Sequence, residues 1–437
     1  MKSISIVAPL VLALSIASQG QTAPHSVSVS VPAVAPMKVE EAVAEALQGN
    51  PEIRAAVRRL SLVQLKTTTA RSLEDPMFQV RDWDTPLRQP WDLNQAQAMF
   101  MVQQTFVSKQ KRDMRAKVAG DEVEVAAGEL ETLRQEIAVQ VRKACTDLKR
   151  NADEMQLHDR QASLLKEALA VTLAQYTSGK VPQADVLRAQ MALTRLSEHL
   201  IELDEERDNA RALLNSLMGR RPDEPIEIAG SYATPGDLPS IEELERMAIE
   251  HRPELAALRK QIARGQDESQ NTRLAMKPDF TVGVGYMLMP TGSAARSAYM
   301  AEFSMNLPRL NRTRHENEAK QADAATEVTE AELQARTAAA FLEIRQAQIA
   351  ILAAQKRVKV YRDTLLPQAD ASFKASTAAY ENNRAEFPML IDSQNLLLDI
   401  QTAYYKASAA TDAGVANLER AIGAPLPAKS GAERTSR

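Results

Sequence analysis

Residues 39–53 read VEEAVAEALQGNPEI, and residues 241–255 read IEELERMAIEHRPEL. Both stretches have two acidic residues after the first position, carry apolar residues at helical spacing and contain a Pro-Glu pair near their end, at Pro51 and Pro253. The two prolines are 253 − 51 = 202 residues apart. Because self-similarity at a long period indicates a repeat architecture, the two stretches predict that one structural plan is used twice in this chain.

The same offset recurs along the rest of the sequence. Pro76 and Pro278 are also 202 residues apart, and several later pairs are 204 apart, namely Tyr176 and Tyr380, Gln190 and Gln394, Leu214 and Leu418, and Gly219 and Gly423. We therefore expect a first repeat over residues 38–220 and a second over 241–424. The stretch 221–240 is rich in proline and glycine, which predicts a linker.

Each repeat is predicted to begin with a helix, from Val39 to about Leu73 or from Ile241 to about Met276. A segment with strict alternation follows, at 76–107 or 278–308. Gln97 to Val107 is its clearest strand in the first repeat, and Phe78 to Trp83 is weaker. In the second repeat the apolar positions are Phe280, Val282, Val284, Tyr286 and Leu288, then Tyr299, Ala301, Phe303, Met305 and Leu307.

A period of two predicts strands with one apolar and one polar face. Strands of about ten residues can cross an outer membrane when tilted. A strand pair packed on a soluble core would show the same alternation, so the pattern alone leaves both readings open.

The third element of each repeat is a very long helix, at about 109–177 and 312–379, followed by a turn and a returning helix at 184–218 or 387–421. At 1.5 Å per residue the long helix extends roughly 100 Å. Pro367 is expected to kink the second copy. The coiled-coil spacing of the first copy is carried by Leu130, Leu133, Ile137, Val141, Ala144 and Leu148, then by Ala162, Leu165, Leu169 and Leu173.

Composition excludes several classes of protein. The net charge of −4 gives no electrostatic reason to expect a nucleic acid as partner. A single cysteine, Cys145, excludes a disulfide framework and a thiolate zinc site, and its position beside Ala144 predicts a buried apolar side chain. A mean hydropathy of −0.31 excludes a polytopic helical membrane protein. Only 4% of the residues are aromatic and only 15 are glycine, which disfavours a large β or α/β enzyme.

The N-terminus predicts export. Residues 1–17 hold one lysine, an apolar run and a small-residue cleavage pattern at Ser15-Ile16-Ala17, as in a secretory signal peptide. Residues 18–37 are expected to form a flexible leader, and residues 425–437 a disordered tail.

In this order and duplication, the features resemble the TolC-type outer-membrane efflux protein family over about residues 38–424. The residues that carry the resemblance are Asn50-Pro51-Glu52, Arg252-Pro253-Glu254, Tyr176-Thr-Ser-Gly179, Leu365-Leu-Pro-Gln-Ala369 and Leu418-Glu-Arg-Ala-Ile-Gly423. The resemblance implies a mainly α fold with a small β portion, in which duplicated long helical hairpins form a coiled-coil tunnel. Four strands from each chain of a homotrimer would contribute to a transmembrane barrel in the lipid of the bacterial outer membrane.

The resemblance also implies partners. A periplasmic adaptor protein and an inner-membrane pump would dock at the hairpin tips, which are marked by Tyr176, Gly179, Tyr380 and Asn383. The implied function is passive export, with a metal ion or a drug as cargo. No cofactor, resident metal or nucleic acid is expected.

The family closes its tunnel with residues just after the hairpin turns. Asp185 and Asp392 fall on the family's constriction positions, where three chains would give rings of carboxylates. Met389 stands where a second-repeat aspartate is expected, and Ala385 stands where an arginine is expected, with Arg384 beside it. A bond between Arg384 and Asp185 is therefore the hypothesis for closure. The alternative role for each aspartate is that of a helix-start residue near the helix dipole.

The remaining histidines, methionines and charge clusters have ordinary structural roles as their favoured interpretation. The histidines at 25, 158, 199, 251 and 315 show no i,i+4 ligand spacing, which disfavours a metal site. The methionines of the strand regions could contact copper or silver, but packing is the favoured role. The charges of Lys109-Gln-Lys-Arg112 and Arg220-Arg221 are expected to be solvated. A structural coiled-coil protein of the envelope, without a pore, is the competing function, and an enzyme is the weakest, since no catalytic constellation is present.

Overall fold

The structure, a computed structural model of the chain, describes residues 35–83, 97–232, 235–295, 297–382 and 384–426. The predicted signal peptide, most of the leader and nearly all of the predicted tail lie outside these ranges. The fold is mainly α-helical with a small β portion, and it uses the same order of elements in both repeats.

The helices of the first repeat are α1 (Val39–Gly49), α2 (Pro51–Arg71), α3 (Lys109–Thr177) and α4 (Gln183–Met218). Those of the second are α5 (Ile241–His251), α6 (Pro253–Leu274), α7 (Arg312–Val360), α8 (Leu366–Glu381) and α9 (Phe387–Ile422). The predicted long hairpins are thereby confirmed, with α3 and α4 as the first and α7, α8 and α9 as the second.

The strands are β1 (Met37–Lys38), β2 (Met77–Trp83), β3 (Gln97–Phe106), β4 (Ile228–Ala229), β5 (Phe280–Leu288) and β6 (Ser297–Met305). Four of them form one antiparallel sheet in the order β2-β3-β5-β6. The two repeats therefore meet at the β3–β5 pair, where Val102 lies opposite Val284. A second, two-stranded parallel sheet joins β1 to β4 and was not expected from the sequence.

The first helix of each repeat is broken at its proline, whereas the sequence predicted one continuous helix. Asn50 and Arg252, the residues before Pro51 and Pro253, have extended backbones with ψ of 127° and 114°. A proline ring clashes with a helical conformation of the preceding residue, so the chain leaves the helix there. Each proline then starts a new helix, where its missing N–H costs nothing.

These breaks contact the C-terminal end of the returning helix of each hairpin, at the hairpin base. The Asn50 side chain caps α2 by accepting from the N–H groups of Glu52 and Ile53, and its amide donates to the carbonyl of Leu217 at 2.9 Å. In the second repeat, the Arg252 guanidinium donates to the carbonyl of Ala421. The two carbonyls are 421 − 217 = 204 residues apart, so the duplication extends to this contact.

The seam of α3 packs as predicted over its first part. Leu130, Ile137, Val141, Ala144 and Leu148 are buried in one core with the ends of α1 and α4, and Leu133 is partly buried against it. Cys145 is fully buried in the same core, and burial raises the pKa of its thiol to about 12. Toward the tip the spacing no longer decides burial, since Leu165 is buried but Leu173 is 48% exposed.

The expected kink at Pro367 takes the form of a single π-helical turn over Tyr361–Leu365. The N–H of Leu366 donates to the carbonyl of Tyr361, five residues earlier. A wider turn just before a proline accommodates a residue that has no N–H to donate and that crowds the preceding turn.

The stretch 221–240 is docked on the helices over much of its length. Ile226 is buried in the core, and the hydroxyl of Tyr232 donates to the Asp153 carboxylate of α3 at 2.7 Å. Met37, placed by the sequence in the flexible leader, pairs with Ile228 in the small parallel sheet. Among the described residues, no helix is both long enough and apolar enough to span a lipid bilayer.

Candidate functional site

One face of the four-stranded sheet is apolar and exposed. Its outer row pairs Phe280 with Met305, the next row pairs Val282 with Phe303, and a further row pairs Tyr286 with Tyr299. Tyr299 is 91% exposed, Phe303 65% and Val284 63%. β2 and β3 extend the same face through Phe78, Val80, Phe100, Val102 and Phe106, all of them exposed. An apolar face of this extent is uncommon on a monomeric protein in water.

The opposite face of the sheet is more polar. The hydroxyls of Thr105 and Thr281 lie 3.0 Å apart, and the amide of Gln103 donates to the Glu302 carboxylate at 3.4 Å. Met101 is buried here, over Gly283 and Gly285. A Cβ atom at Gly285 would lie only 2.9 Å from the carbonyl oxygen of Phe100, so glycine permits the close strand packing. The packing role expected for this methionine agrees with its burial.

The start of α3 is fixed to the sheet by a buried lysine. The Lys111 ammonium donates to the Asp279 carboxylate at 2.8 Å and to the carbonyl of Lys277 at 2.6 Å. The sequence predicted this charge to be solvated, and the prediction is wrong because the Lys111 side chain is buried against the residues just before β5. Arg220 was also expected to be solvated, but it forms an ion pair with Glu45 of α1.

The tip of the first hairpin is a tight turn. Gly179 has a φ of +72°, the left-handed conformation predicted for this position. The N–H of Lys180 donates to the carbonyl of Gln175, which closes the turn. Tyr176 is 40% exposed beside it. Asp185 lies in the first turn of α4, 8% exposed, with its carboxylate 3.7 Å from the Arg188 guanidinium.

The tip of the second hairpin packs against the first. Tyr380 is only 8% exposed, and its hydroxyl donates to the side-chain oxygen of Gln175 at 3.0 Å. Its ring packs edge-on against Phe387, within an apolar cluster that includes Ala189 of the first hairpin. Tyr176 and Tyr380, equivalent in sequence, therefore have different environments. Asn383, the fourth predicted tip residue, lies outside the described residues.

The three predicted gate residues are near the tips but are not in contact within one chain. Arg384 is exposed beyond α8, and its N–H donates to the carbonyl of Ala379. Asp392 is exposed on α9, where it lines a cavity of about 670 Å³ between α3, α4 and α9. In the part of the chain that the structure describes, Asp185 pairs with Arg188 and not with Arg384. A bond between Arg384 and Asp185 stays a prediction for contacts between chains.

The cavity beside Asp392 contains a pair of side chains that the sequence did not bring together. His158 of α3 and His199 of α4 have ring centres 4.5 Å apart. Burial is the main cause that lowers the pKa of His158 to about 4, and the neighbouring His199 and Lys406 lower it further. Across the described ranges, no group of three or more His, Cys, Asp and Glu side chains is placed to hold a metal ion.

No protein-family model matches the sequence. The chain is 23% identical over 393 residues to the cobalt-zinc-cadmium resistance protein CzcC of Cupriavidus metallidurans. The aligned residues make up 90% of this chain and 91% of that protein.

Solved structures share the fold. The outer-membrane protein VceC of Vibrio cholerae superposes with a TM-score of 0.73 at 18% identity, covering 89% of this chain and 97% of that one. The channel-forming CusC superposes with a TM-score of 0.72 at 12% identity, covering 89% and 92%. The resemblance to TolC-type outer-membrane efflux proteins is thereby confirmed at the level of the fold.

Proposed function

We propose that this chain is the outer-membrane channel of a tripartite efflux system. Three copies join their sheets into one barrel in the outer membrane, and their hairpins form a tunnel that extends into the periplasm. Small molecules or metal ions, handed over by an inner-membrane pump and a periplasmic adaptor, pass through it passively. The observation that carries the proposal is the exposed apolar face of the four-stranded sheet.

Lipid is the partner that such a face requires. β3, β5 and β6 have ten, nine and nine residues, the length of a strand that crosses a bilayer at a tilt of about 45°. Alternation then directs Val284 and Phe303 toward lipid and Gln103 and Glu302 toward a polar interior. Burying the apolar face in hydrocarbon removes the free-energy cost of exposing apolar surface to water.

The edges of the sheet favour a closed oligomer. β2 and β6 each have one partner strand, β3 and β5 respectively, so each has one edge whose N–H and C=O groups lack strand partners within the sheet. Such groups cannot be left unpaired in a bilayer, because no water is present to bond them. Pairing the β6 edge of one copy with the β2 edge of the next satisfies both edges and closes the barrel.

The helical tips supply the other end of the duct. Tyr176, Gly179 and Arg384 are at the surface of the tips, where an adaptor or pump can bind. Asp185 and Asp392 of three chains would form carboxylate rings at the constriction, which favour cations through the local field. Arg384 of a neighbouring copy is the proposed partner of Asp185 in the closed state.

The proposal is tested with a pair of adjacent substitutions on β6. Phe303→Arg puts a charge on the apolar face, and Ser304→Arg puts the same charge on the polar face. An arginine facing lipid costs up to about 2–4 kcal/mol near the bilayer midplane. We therefore expect Phe303→Arg to reduce the heat-modifiable trimer recovered from outer membranes, and Ser304→Arg to leave it near the wild-type amount.

The competing function, a structural coiled-coil protein without a pore, makes the opposite prediction. The wild-type chain would then be recovered from the soluble periplasmic fraction, and Phe303→Arg would increase its solubility without affecting assembly. Either result would overturn the channel.

A further inference from the structure

The cavity between α3, α4 and α9 is lined by two imidazoles and one amide that have few partners within the chain. His158 is 4% exposed, and neither of its ring nitrogens has a hydrogen-bond partner. Gln161, one turn later on α3, is 8% exposed, and its amide nitrogen is also without a partner. Both side chains line the cavity. A buried polar group left unsatisfied costs about 1–3 kcal/mol, so water or a ligand that bonds to these atoms is favoured over an empty cavity.

The second imidazole is paired with a carboxylate. The Nδ1 atom of His199 lies 2.9 Å from the Glu202 carboxylate, one turn further along α4. A carboxylate that accepts from Nδ1–H fixes the tautomer and leaves Nε2 as the free electron-pair donor. Metal-binding histidines commonly have this arrangement, because the outer carboxylate orients the ring and makes its other nitrogen more basic.

We propose that His158 and His199 together bind one divalent first-row transition-metal cation through imidazole nitrogens. Imidazole suits zinc, nickel and copper. The remaining coordination positions belong to water, whose oxygen can also accept from the unpaired amide N–H of Gln161. This site does not depend on the channel function, since it is formed by the helices of a single chain.

The distances fit such a site with small adjustments. A metal bound to two imidazoles at about 2.0–2.1 Å from each nitrogen places the ring centres roughly 5 Å apart. The two rings here have centres 4.5 Å apart and planes at 66° to each other. The observed separation of the ring centres is therefore within about 1 Å of the one that a shared ion requires.

The charges around the cavity permit a cation. Arg195 and Lys406 on the lining are balanced by Asp392 and Asp399, and Arg188 is paired with Asp185.

The test is a binding titration on the purified, untagged protein in detergent after treatment with a chelator. Zn²⁺ binding is measured by calorimetry, and Co²⁺ binding by visible absorption, which reports coordination by nitrogen. We expect one ion per chain. His199→Ala and His158→Ala should each weaken binding at least tenfold, and Glu202→Gln should weaken it about tenfold through the orientation of His199.

The matched control is His315→Ala. His315 of α7 also lies beside a carboxylate, with its Nδ1 atom 3.1 Å from Glu318, but it does not line this cavity. Its loss should leave the affinity unchanged. The site is refuted if the wild-type protein binds neither ion, or if His315→Ala weakens binding as much as His199→Ala. Circular dichroism of each variant separates lost binding from lost folding.

Discussion

The contact between Asn50 and Leu217 is expected to stabilise the base of the first hairpin, and it can be removed in two stages. Asn50 is 3% exposed, and its side chain makes three hydrogen bonds, two as the cap of α2 and one to the Leu217 carbonyl. Loss of a cap costs about 1 kcal/mol, and an orphaned buried carbonyl costs about 1–3 kcal/mol. Asn50→Ala should therefore lower the free energy of unfolding by about 2–4 kcal/mol.

Two further variants separate the cap from the carbonyl contact. Serine caps a helix about as well as asparagine but is too short to reach Leu217, so Asn50→Ser should lose only the contact, about 1–3 kcal/mol. Ser240 caps α5 through a bond from the N–H of Glu243 and has no such additional contact among the side-chain bonds described. Ser240→Ala should therefore cost only about 1 kcal/mol.

The assay is guanidinium unfolding followed by far-ultraviolet circular dichroism, at one protein concentration because the chain is proposed to be a trimer. Midpoints are compared where the slope m is unchanged. If Asn50→Ala costs no more than Ser240→Ala, the Leu217 contact contributes nothing and the reasoning is refuted.

Three further predictions use the same unfolding assay. A Cβ atom at Gly128 would lie 2.8 Å from an alanine of α6, whereas a Cβ atom at Gly120 would meet nothing within 4 Å. The Gly128→Ala protein should therefore be less stable than the Gly120→Ala protein by about 1–3 kcal/mol. Equal stabilities of the two variants would contradict the close packing of α3 on α6. Burial and the neighbouring Asp267 raise the pKa of Asp121 from 3.8 to about 6, so the folded state holds the proton more tightly and stability falls as the pH rises from about 4 to 6. Asp121→Asn should remove this fall in the free energy of unfolding, which is on the order of 1 kcal/mol because solvent screens a partly exposed group. If the variant had the same dependence of stability on pH as the wild type, the raised pKa of Asp121 would be excluded. Tyr380→Phe should lower the free energy of unfolding by about 1 kcal/mol, because it loses the hydroxyl hydrogen bonds to the first hairpin. Tyr176→Phe should have no measurable effect. A larger loss of stability in Tyr176→Phe than in Tyr380→Phe would contradict the packing of the tips.

The elements with strong local signals were predictable from the sequence. The bounds of α3 and the apolar faces of β5 and β6 agree with the sequence periodicity. In both cases the signal is carried by residues close together in the chain. The breaks at Asn50 and Arg252 were missed, although the prolines that cause them were visible, because the apolar spacing continues on both sides.

Features that depend on contacts between hairpins were not predictable in the same way. Tyr176 and Tyr380 occupy equivalent positions, and only the packing of one tip on the other distinguishes them. The buried environment of Lys111 likewise depends on Asp279, 168 residues away.

The histidine pair is an intermediate case. His158 lies 179 − 158 = 21 residues before Gly179, and His199 lies 199 − 179 = 20 residues after it. Two antiparallel helices that turn at Gly179 bring such positions side by side. A comparison of residues at equal distances before and after the turn could therefore have identified the pair, whereas a search for i,i+4 spacing within one helix could not.

The central claim, that the exposed sheet face becomes the lipid-facing surface of a pore, is tested most directly by electrical recording. The purified trimer is added to a planar lipid bilayer and the current is measured at constant voltage. The account predicts discrete conductance steps, each from one inserted trimer, and no steps from Phe303→Arg protein. A folded wild-type protein that remains monomeric, or that produces no steps in repeated recordings, would contradict it.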